Sequence, residues 1–572
     1  MQLPGFSPYQ MKRPRREFHL PEFSGGAKKW LAIVIVILVG LWVIAYIALG
    51  DLRFFMAHYL RFTFFSKNYL VLLQNNYEAR PAGGFITAYG NLDTFMGFPT
   101  ELSFHNSYDI DVVSDSPAPS PQEKFLKNEW YAGYTFRDSN WEPNFPDATQ
   151  DLIAFYQKKF PEADVDGIVV INFSMIENMV DKLGGIKLGN QWLTKENLFS
   201  VLEHEVSNID RHSEEALSSR KNILSDLASA LVSKAKWHPF ATKAVIIRAF
   251  KEKDMYLWLA SGLQENVAEK GWGNALSLPE KSDFISLNVA NLGAKKADRY
   301  IEREVHHFVN ISKEIPEMTT EVILRFPGFT NNYADNYKGY ARLIIPGAAT
   351  LQNKPEGSVE EQKDSLKMIG TEIVLPAGSK TTLVYTYTLP RHYFENNKYA
   401  LRLAKQSGQE THMAVVVETP PETIVKSDDF EPRENRAFFR AVPDGDRDLA
   451  LSITADPFPP YPLEQVFEDL KTIRIYWNEP IDTSTGNDAT NYMITDLNIT
   501  NETFDDVKTV YAEVVDGSVS KLELSGVSNQ PMERYRVEMK NIRDPGGNAT
   551  DPDPMVITVV QRLTEAANPP EP

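Results

Sequence analysis

Cysteine is absent from the 572-residue chain, so disulfide staples, thiolate zinc sites and cysteine nucleophiles are excluded. Stability has to come from packing. Positive charge is in deficit: 59 Lys and Arg stand against 77 Asp and Glu, for a formal net charge of −18. So acidic a chain lacks the basic footprint that displaces counterions from phosphates, which argues against nucleic acid as a partner. Several reaction signatures are also missing. There is no H-E-x-x-H zinc helix, no G-x-S-x-G elbow, no G-x-G-x-x-G fingerprint and no G-x-x-x-x-G-K-[ST] phosphate loop.

What is present is the composition of folded protein, 42% hydrophobic, 11% aromatic and 24% charged. The length suits roughly three or four domains. The charge is uneven. Residues 1–29 carry Lys12, Arg13, Arg15, Arg16, Lys28 and Lys29 against only Glu17 and Glu22. The next stretch, 30–49 (WLAIVIVILVGLWVIAYIAL), contains no charge. As a helix it spans about 30 Å, the thickness of a bilayer's hydrocarbon core. It is longer than a signal-peptide core and runs into Asp51, Arg53 and bulky aromatics rather than a small-residue cleavage site. The expectation is an uncleaved single-pass anchor in the cell membrane, with the basic 1–29 tail cytoplasmic and the acidic bulk extracellular.

The ectodomain reads as three parts. Residues 60–315 alternate short apolar runs (YLVLLQ, GIVVI) with amphipathic helices, the pattern of a layered α/β domain with a mainly parallel or mixed sheet. Ser174 and Glu177 have capping-box spacing, with Gly184-Gly185 as the stop. Asp147 reads as the cap of a second helix, and 213–236 as a third helix. ELSFHNSYDID reads as a strand ending in two carboxylates. Residues 316–418 switch to period two and read as a β-sandwich. Residues 419–443 look like a linker, 444–562 like a second sandwich beginning with the strand LALSITA, and 563–572 like a tail. The spaced acids Asp444, Asp446 and Asp448 lack the glycine and glutamate of a calcium loop.

Candidate site residues cluster after the first strand. The loop QNNYEARPAGGF offers Asn76, Glu78, Arg80, Gly83 and Gly84, a set able either to cradle an anion or simply to turn the chain. Arg220 shares a helix face with Leu217 and Leu224, so its guanidinium needs either an internal carboxylate or a bound phosphate. Arg137 lies in a polar loop. Asp109 and Asp111 with Glu78 would make a hard oxygen site for Mg²⁺ or serve as turn residues.

The segments YLVLLQNNYEARPAGGF, RDSNWEPNFPDA, VDGIVVINFSMIENMVDKLGGIKL, SRKNIL and DFISLNVANLGAKKADRY resemble a large uncharacterised bacterial family of membrane-anchored surface proteins, over about residues 60–415. VDGIVVINFSMIENMVDKLGGIKL is also similar to part of the LytR-CpsA-Psr envelope ligases, and IYWNEPIDTSTGNDATNY resembles bacterial Ig-like domains. The ligase resemblance implies transfer of a glycopolymer from a polyprenyl-pyrophosphate carrier, a Mg²⁺-dependent phosphotransferase reaction. Arg80 and Arg220, with Arg211, match the arginines that would grip the pyrophosphate, and Arg137 joins them by its nearby motif rather than by that match; Asp109, with Asp111 or Glu78, would hold the metal or take a proton. The chain departs from that pattern. Asn75-Asn76 stands where the ligases carry a metal-binding aspartate, Gly83-Gly84 where they carry Ser-Asp, and Ser107-Tyr108-Asp109 where they carry Pro-Arg-Asp. The competing expectation is a noncatalytic adhesin, receptor or envelope scaffold whose α/β domain binds cell-wall glycan or a protein partner, with the sandwiches as spacers; a sensor is a third.

The anchor reading is checked by protease treatment of intact cells. A tag within residues 1–29 should survive, and a tag after residue 562 should be removed.

Overall fold

The computed structural model describes residues 50, 54, 58, 67–95, 98–111, 134–207, 214–260, 262–293, 296–328, 336–420, 423–433, 435–455, 458–497, 507–527 and 533–561. The apolar run 30–49 and Arg211 lie outside them. Among the described residues no helix is long and apolar enough to cross a membrane. The chain divides into two compact units, residues 1–67 with 93–100 and residues 68–92 with 101–572. The second holds almost all of the secondary structure, a multidomain, strand-rich assembly of mixed and antiparallel sheets.

Its α/β part is built on a five-stranded sheet. The strands are β1 (Lys67–Arg80), β2 (Gly83–Phe95), β3 (Phe98–Asn106), β4 (Gly167–Asn172) and β5 (Met255–Leu259). They lie in the order β3-β2-β1-β4-β5. The sheet is mixed: β1 and β4 run parallel with Tyr69 opposite Gly167 and Gln74 opposite Asn172, whereas β4 and β5 are antiparallel. The helices are α1 (Phe145–Lys159), α2 (Phe173–Lys182), α3 (Lys195–Ser207), α4 (Glu214–Ala235) and α5 (Pro239–Lys251). Period two along β4 sends Ile168 and Val170 into one core with Leu152 of α1, and Ile171 toward another with Met175, Met179 and Val245 of α2 and α5. Covered on both faces, β1 and β4 become the apolar runs seen in the sequence.

Three local expectations are corrected. Asn172, not Ser174, is the N-cap of α2; the Ser174 hydroxyl donates to Asp254 at 2.8 Å, and Glu177 accepts from Tyr77 at 2.6 Å, so no capping box forms. Asn144 occupies the N-cap position of α1, with Pro146 in its first turn, and the Asp147 carboxylate pairs with Lys363 at 3.0 Å. The segment Tyr108–Asp111 is a single helical turn after β3 rather than a strand end. The Gly184-Gly185 stop is as expected. Both glycines adopt positive φ, 72° and 84°. The Gly185 amide donates back to the Val180 carbonyl.

The sandwich extends beyond 316–418 at both ends. One seven-stranded sheet contains β7 (Glu302–Asn310) and β9 (His412–Glu418), the other β6 (Asp283–Asn291) and β8 (Lys398–Leu403). Each pair is parallel and lies at the middle of its sheet. Strands from the expected linker also join: Thr423–Lys426, Glu431–Arg433 and Arg436–Ala441. LALSITA lies in Arg447–Ala455, which pairs with β8 in this sandwich and not in the next. Long-range partners of this kind, parallel or antiparallel, leave no local sequence signal. The remaining β-unit comprises a four-stranded and a three-stranded sheet between Pro462 and Val560, around Ile475, Trp477, Leu522 and Val537.

Strand β6 positions the site. All nine of its residues are buried because both faces are covered. Leu287 and Val289 point into the sandwich core, whereas Ala290 packs with Trp141 and Tyr340 in the core of the α/β part. A fragment of residues 316–418, lacking β6 and β7, should therefore remain unfolded by circular dichroism, while one of residues 273–458 should retain strand signal.

Candidate functional site

The β1–β2 turn, which the sequence leaves open between an anion cradle and a plain turn, is buried and stitched to the sandwich. Arg80 is 1% exposed. Its Nε donates to Asp138 at 2.7 Å, its Nη2 to Glu78 at 3.1 Å, and its Nη1 to the carbonyls of Ala79 and Asn291 at 3.1 and 2.9 Å. A guanidinium removed from water needs such partners, and two carboxylates supply them. Burial pushes the Glu78 carboxyl above its usual range, and the adjacent Arg80 opposes that shift.

Around Arg80 the backbone groups of the turn are also consumed. The Ala79 amide donates to Asp298, which further accepts from Asn291, Arg303 and Tyr337. The carbonyls of Arg80 and Pro81 accept from Gln406 at 3.1 Å and Asn288 at 2.7 Å, and that of Ala82 from Tyr256 and Asn274. Gly83 and Gly84 are required sterically. Gly83 has φ +146°, and a Cβ on it would run into Gln74 Oε1; one on Gly84 would run into the Asn75 backbone. The Gly84 amide donates to Gln74 at 3.0 Å, and its carbonyl accepts from Asn140 at 2.7 Å. The Gly-Gly pair thus permits close packing and offers no free amide from Gly84.

In an open α/β sheet a ligand crevice forms outside the carboxyl ends of parallel strands. Here that place, beyond Gln74 and Asn172, is lined by Asn76, Ser174 and Asp254, and it is filled by the sandwich segment 404–409. Asn76 Nδ2 donates to the Gly408 carbonyl at 3.1 Å, and the Asn76 carbonyl accepts from Gln409 at 2.7 Å. Asn172 donates to Ser407 at 2.9 Å, and Ser407 donates to the Lys253 carbonyl at 2.6 Å. Gly408 adopts φ +70°, and a Cβ there would lie 2.6 Å from Asn76 Cβ. Burial raises the Asp254 carboxyl and lowers the Lys405 ammonium, each opposed by the other's charge. The end of α5 and the strand before the plug fasten it to the 444–448 stretch: Lys251 pairs with Asp444 at 2.5 Å and Lys253 with Asp446 at 2.7 Å, Arg402 of β8 pairs with Asp448 at 2.6 Å, and the Lys405 amide donates to Asp446 at 2.8 Å. The calcium-like spacing of those aspartates serves three separate cations.

The expected residues converge in part: Arg80, Glu78 and Arg137 gather beside Phe85 and Asp138. Arg137 stacks its cation on aromatic faces, 4.0 Å from the Tyr108 ring and 5.6 Å from that of Phe85. Arg80 also approaches the Phe85 ring, at 5.2 Å. Asp109 raises the Tyr89 hydroxyl's pKa, second to burial, and Glu78 pairs with Arg80 at 3.1 Å. Asn76, Gly83 and Gly84 gather instead at the Asn172 end. Arg220 lies on α4, but its side chain, like that of Asp111, is outside the described residues. Among the described residues no three His, Asp or Glu side chains could hold a metal. Glu78, engaged by Arg80, does not fit a Mg²⁺ ligand. Sequence reasoning missed Asp298, Gln406 and Ser407, because their partners are remote in the chain. Only the unusual density of Asn and Gln signalled a polar junction.

Two substitutions test this geometry. Arg80→Met leaves Glu78 and Asp138 buried without their cation and should cost about 3–5 kcal/mol, read as a large fall in thermal midpoint; adding Glu78→Leu and Asp138→Leu should recover much of it. Gly408→Ala should cost about 1–3 kcal/mol through backbone strain and the clash with Asn76.

No curated protein matches this chain. Solved structures give local likenesses. The N-terminal part of the bacterial S-layer protein SbsC is 15% identical over 18% of this chain, which spans 24% of that chain, at TM-score 0.16. Lin1025 from Listeria innocua is 13% identical over 36% of this chain and 80% of that one, at 0.20. The transcriptional regulator YvhJ from Bacillus subtilis is 8% identical over 36% and 76%, also at 0.20. Superpositions at that level do not define a shared fold. Residues 66–206, from β1 to the end of α3, match the family described as "Protein of unknown function (DUF4012)".

Proposed function

We propose that this is a membrane-anchored extracellular protein of the bacterial cell envelope that acts as a noncatalytic scaffold, with the α/β part and the large sandwich joined as one support and an Ig-like module following. The observation that carries the reading is the plug at residues 404–409. The place where an α/β sheet offers a ligand crevice is taken by the chain's own Ser407, Gly408 and Gln409, held by hydrogen bonds to Asn76, Asn172 and the Lys253 carbonyl. Arg80 supports it as well. A cation already neutralised by Glu78 and Asp138 contributes little to a developing phosphate charge.

The anchor follows from the charge-free run 30–49 and the cations before it. Its role would be to hold the acidic ectodomain at the outer surface, where the partner is a cell-wall glycan or another envelope component. The glycopolymer-transfer reading would need Arg137, Arg211 and Arg220 to gather around a vacant anion site without Arg80.

The two readings separate in one preparation. Full-length protein extracted from a bacterial membrane should carry no polyprenyl phosphate or pyrophosphate by mass spectrometry. It should also release no phosphate from a pyrophosphate analogue with Mg²⁺ added. A co-purifying lipid lost in Arg220→Ala, at unchanged thermal midpoint, would establish the ligase reading instead.

A further inference from the structure

The corner between α4 and α5 exposes what folding usually hides. Trp237 is 83% and Phe240 80% exposed, among the most exposed large apolar side chains described. Both stand at the turn Lys236-Trp237-His238-Pro239-Phe240, where α4 ends at Ala235 and α5 begins at Pro239. They are dispensable to the core, which uses Leu227, Val245 and Ala249 from the other faces of the same helices. An exposed aromatic pair costs solubility and marks an interaction site when it is grouped with other features.

The charge around it is opposite to that of the whole protein. Residues 227–251 contain Lys234, Lys236, Lys243, Arg248 and Lys251 and no Asp or Glu, in a chain of net −18. Arg248 and Lys251, at the far end of α5, pair with Glu252 and Asp444; Lys236 and Lys243 stand nearer the turn, as does Lys234, whose ammonium donates to the Gly185 carbonyl. Trp192 is 54% exposed, and Lys234 Nζ lies 5.1 Å from its ring centroid. Aromatics with an apolar body and a polar N–H, flanked by lysines, are the residues that settle at the interface of a bilayer, where rings enter the headgroup layer and ammonium groups meet anionic lipid.

We infer that the Trp237–Phe240 corner is a membrane-contact surface that seats on anionic phospholipid headgroups. The inference rests on the membrane-anchored part of the proposed function and is independent of whether the protein catalyses anything. The chain between Leu49 and Lys67 reaches at most about 60 Å when extended, so an anchored protein stays tethered close to such a surface. The contact would give the anchored domain a second hold, since weak interfacial attachment becomes persistent when a first attachment keeps its local concentration high.

The absence of cysteine makes the test clean. Full-length protein with Trp237→Cys, labelled with an environment-sensitive fluorophore, is reconstituted into vesicles of phosphatidylcholine alone or with phosphatidylglycerol. Flotation reports anchoring by itself, in both vesicles. The label at 237 should shift to the blue on phosphatidylglycerol vesicles, and spin-labelled lipid should quench it at least about twofold more than on phosphatidylcholine, with the difference lost at high salt. Lys236→Glu with Lys243→Glu should abolish that difference, and a label at Val374→Cys, 59% exposed on the sandwich, should show none. A label at 237 as water-exposed on phosphatidylglycerol as the Val374 label overturns the inference and leaves the corner to an acidic protein partner. Equal quenching on both vesicles overturns the anionic-lipid specificity.

Discussion

A buried network of charge at the β1–β2 turn governs how the α/β part and the sandwich fit together. Arg80 is held between Glu78 and Asp138, and Asp298 between Arg303, Asn291, Tyr337 and the Ala79 amide. A charge cluster out of water is tolerable only when every group has a partner. Here the partners come from the α/β sheet, the 136–140 loop, β6 and the segment after it. Removing any one leaves the others exposed to the full desolvation penalty, so the two layers are bound to a single arrangement. Hydrophobic packing supplies the bulk of the cohesion through Trp141, Tyr340 and Ala290, but apolar contact alone does not fix register.

The same constraint shapes what the α/β sheet can do. Its carboxyl-end crevice is polar because Asn76, Asn172, Ser174 and Asp254 line it, and polar groups there require either a ligand or protein partners. The chain supplies its own in residues 404–409, fastened by ion pairs from Lys251, Lys253 and Arg402 to the aspartates 444, 446 and 448. Gln74 Nε2 and Asn172 Oδ1 are left buried there without a hydrogen bond. At the α4–α5 corner, by contrast, Trp237 and Phe240 stand exposed beside lysines in an otherwise acidic protein.

The strands YLVLLQ and GIVVI, the 214–235 helix and the Gly184-Gly185 stop were legible because periodicity, apolar runs and positive φ leave local marks. The importance of the turn QNNYEARPAGGF was legible too, since Asn, Arg and Gly-Gly are costly to bury without purpose. Its purpose was not. The same residues suit an anion cradle or an interdomain bolt, and the choice rests on Asp138, Asn288, Asp298 and Gln406, which lie 58 to 326 residues from Arg80 or the adjoining turn. Caps were read two and three positions away from their true places, because Ser174 and Asp147 found stronger partners in Asp254 and Lys363.

Composition and short-range pattern were enough to establish the cysteine-free chemistry, the charge asymmetry, the apolar run 30–49 and the order of α/β before β, because each can be read within a local window. It took the folded chain to show that β6 and β7 belong to the sandwich, that Arg80 is neutralised internally and that residues 404–409 occupy the crevice. These are pairings between distant segments, and their energies come from desolvation and geometry that no local window contains.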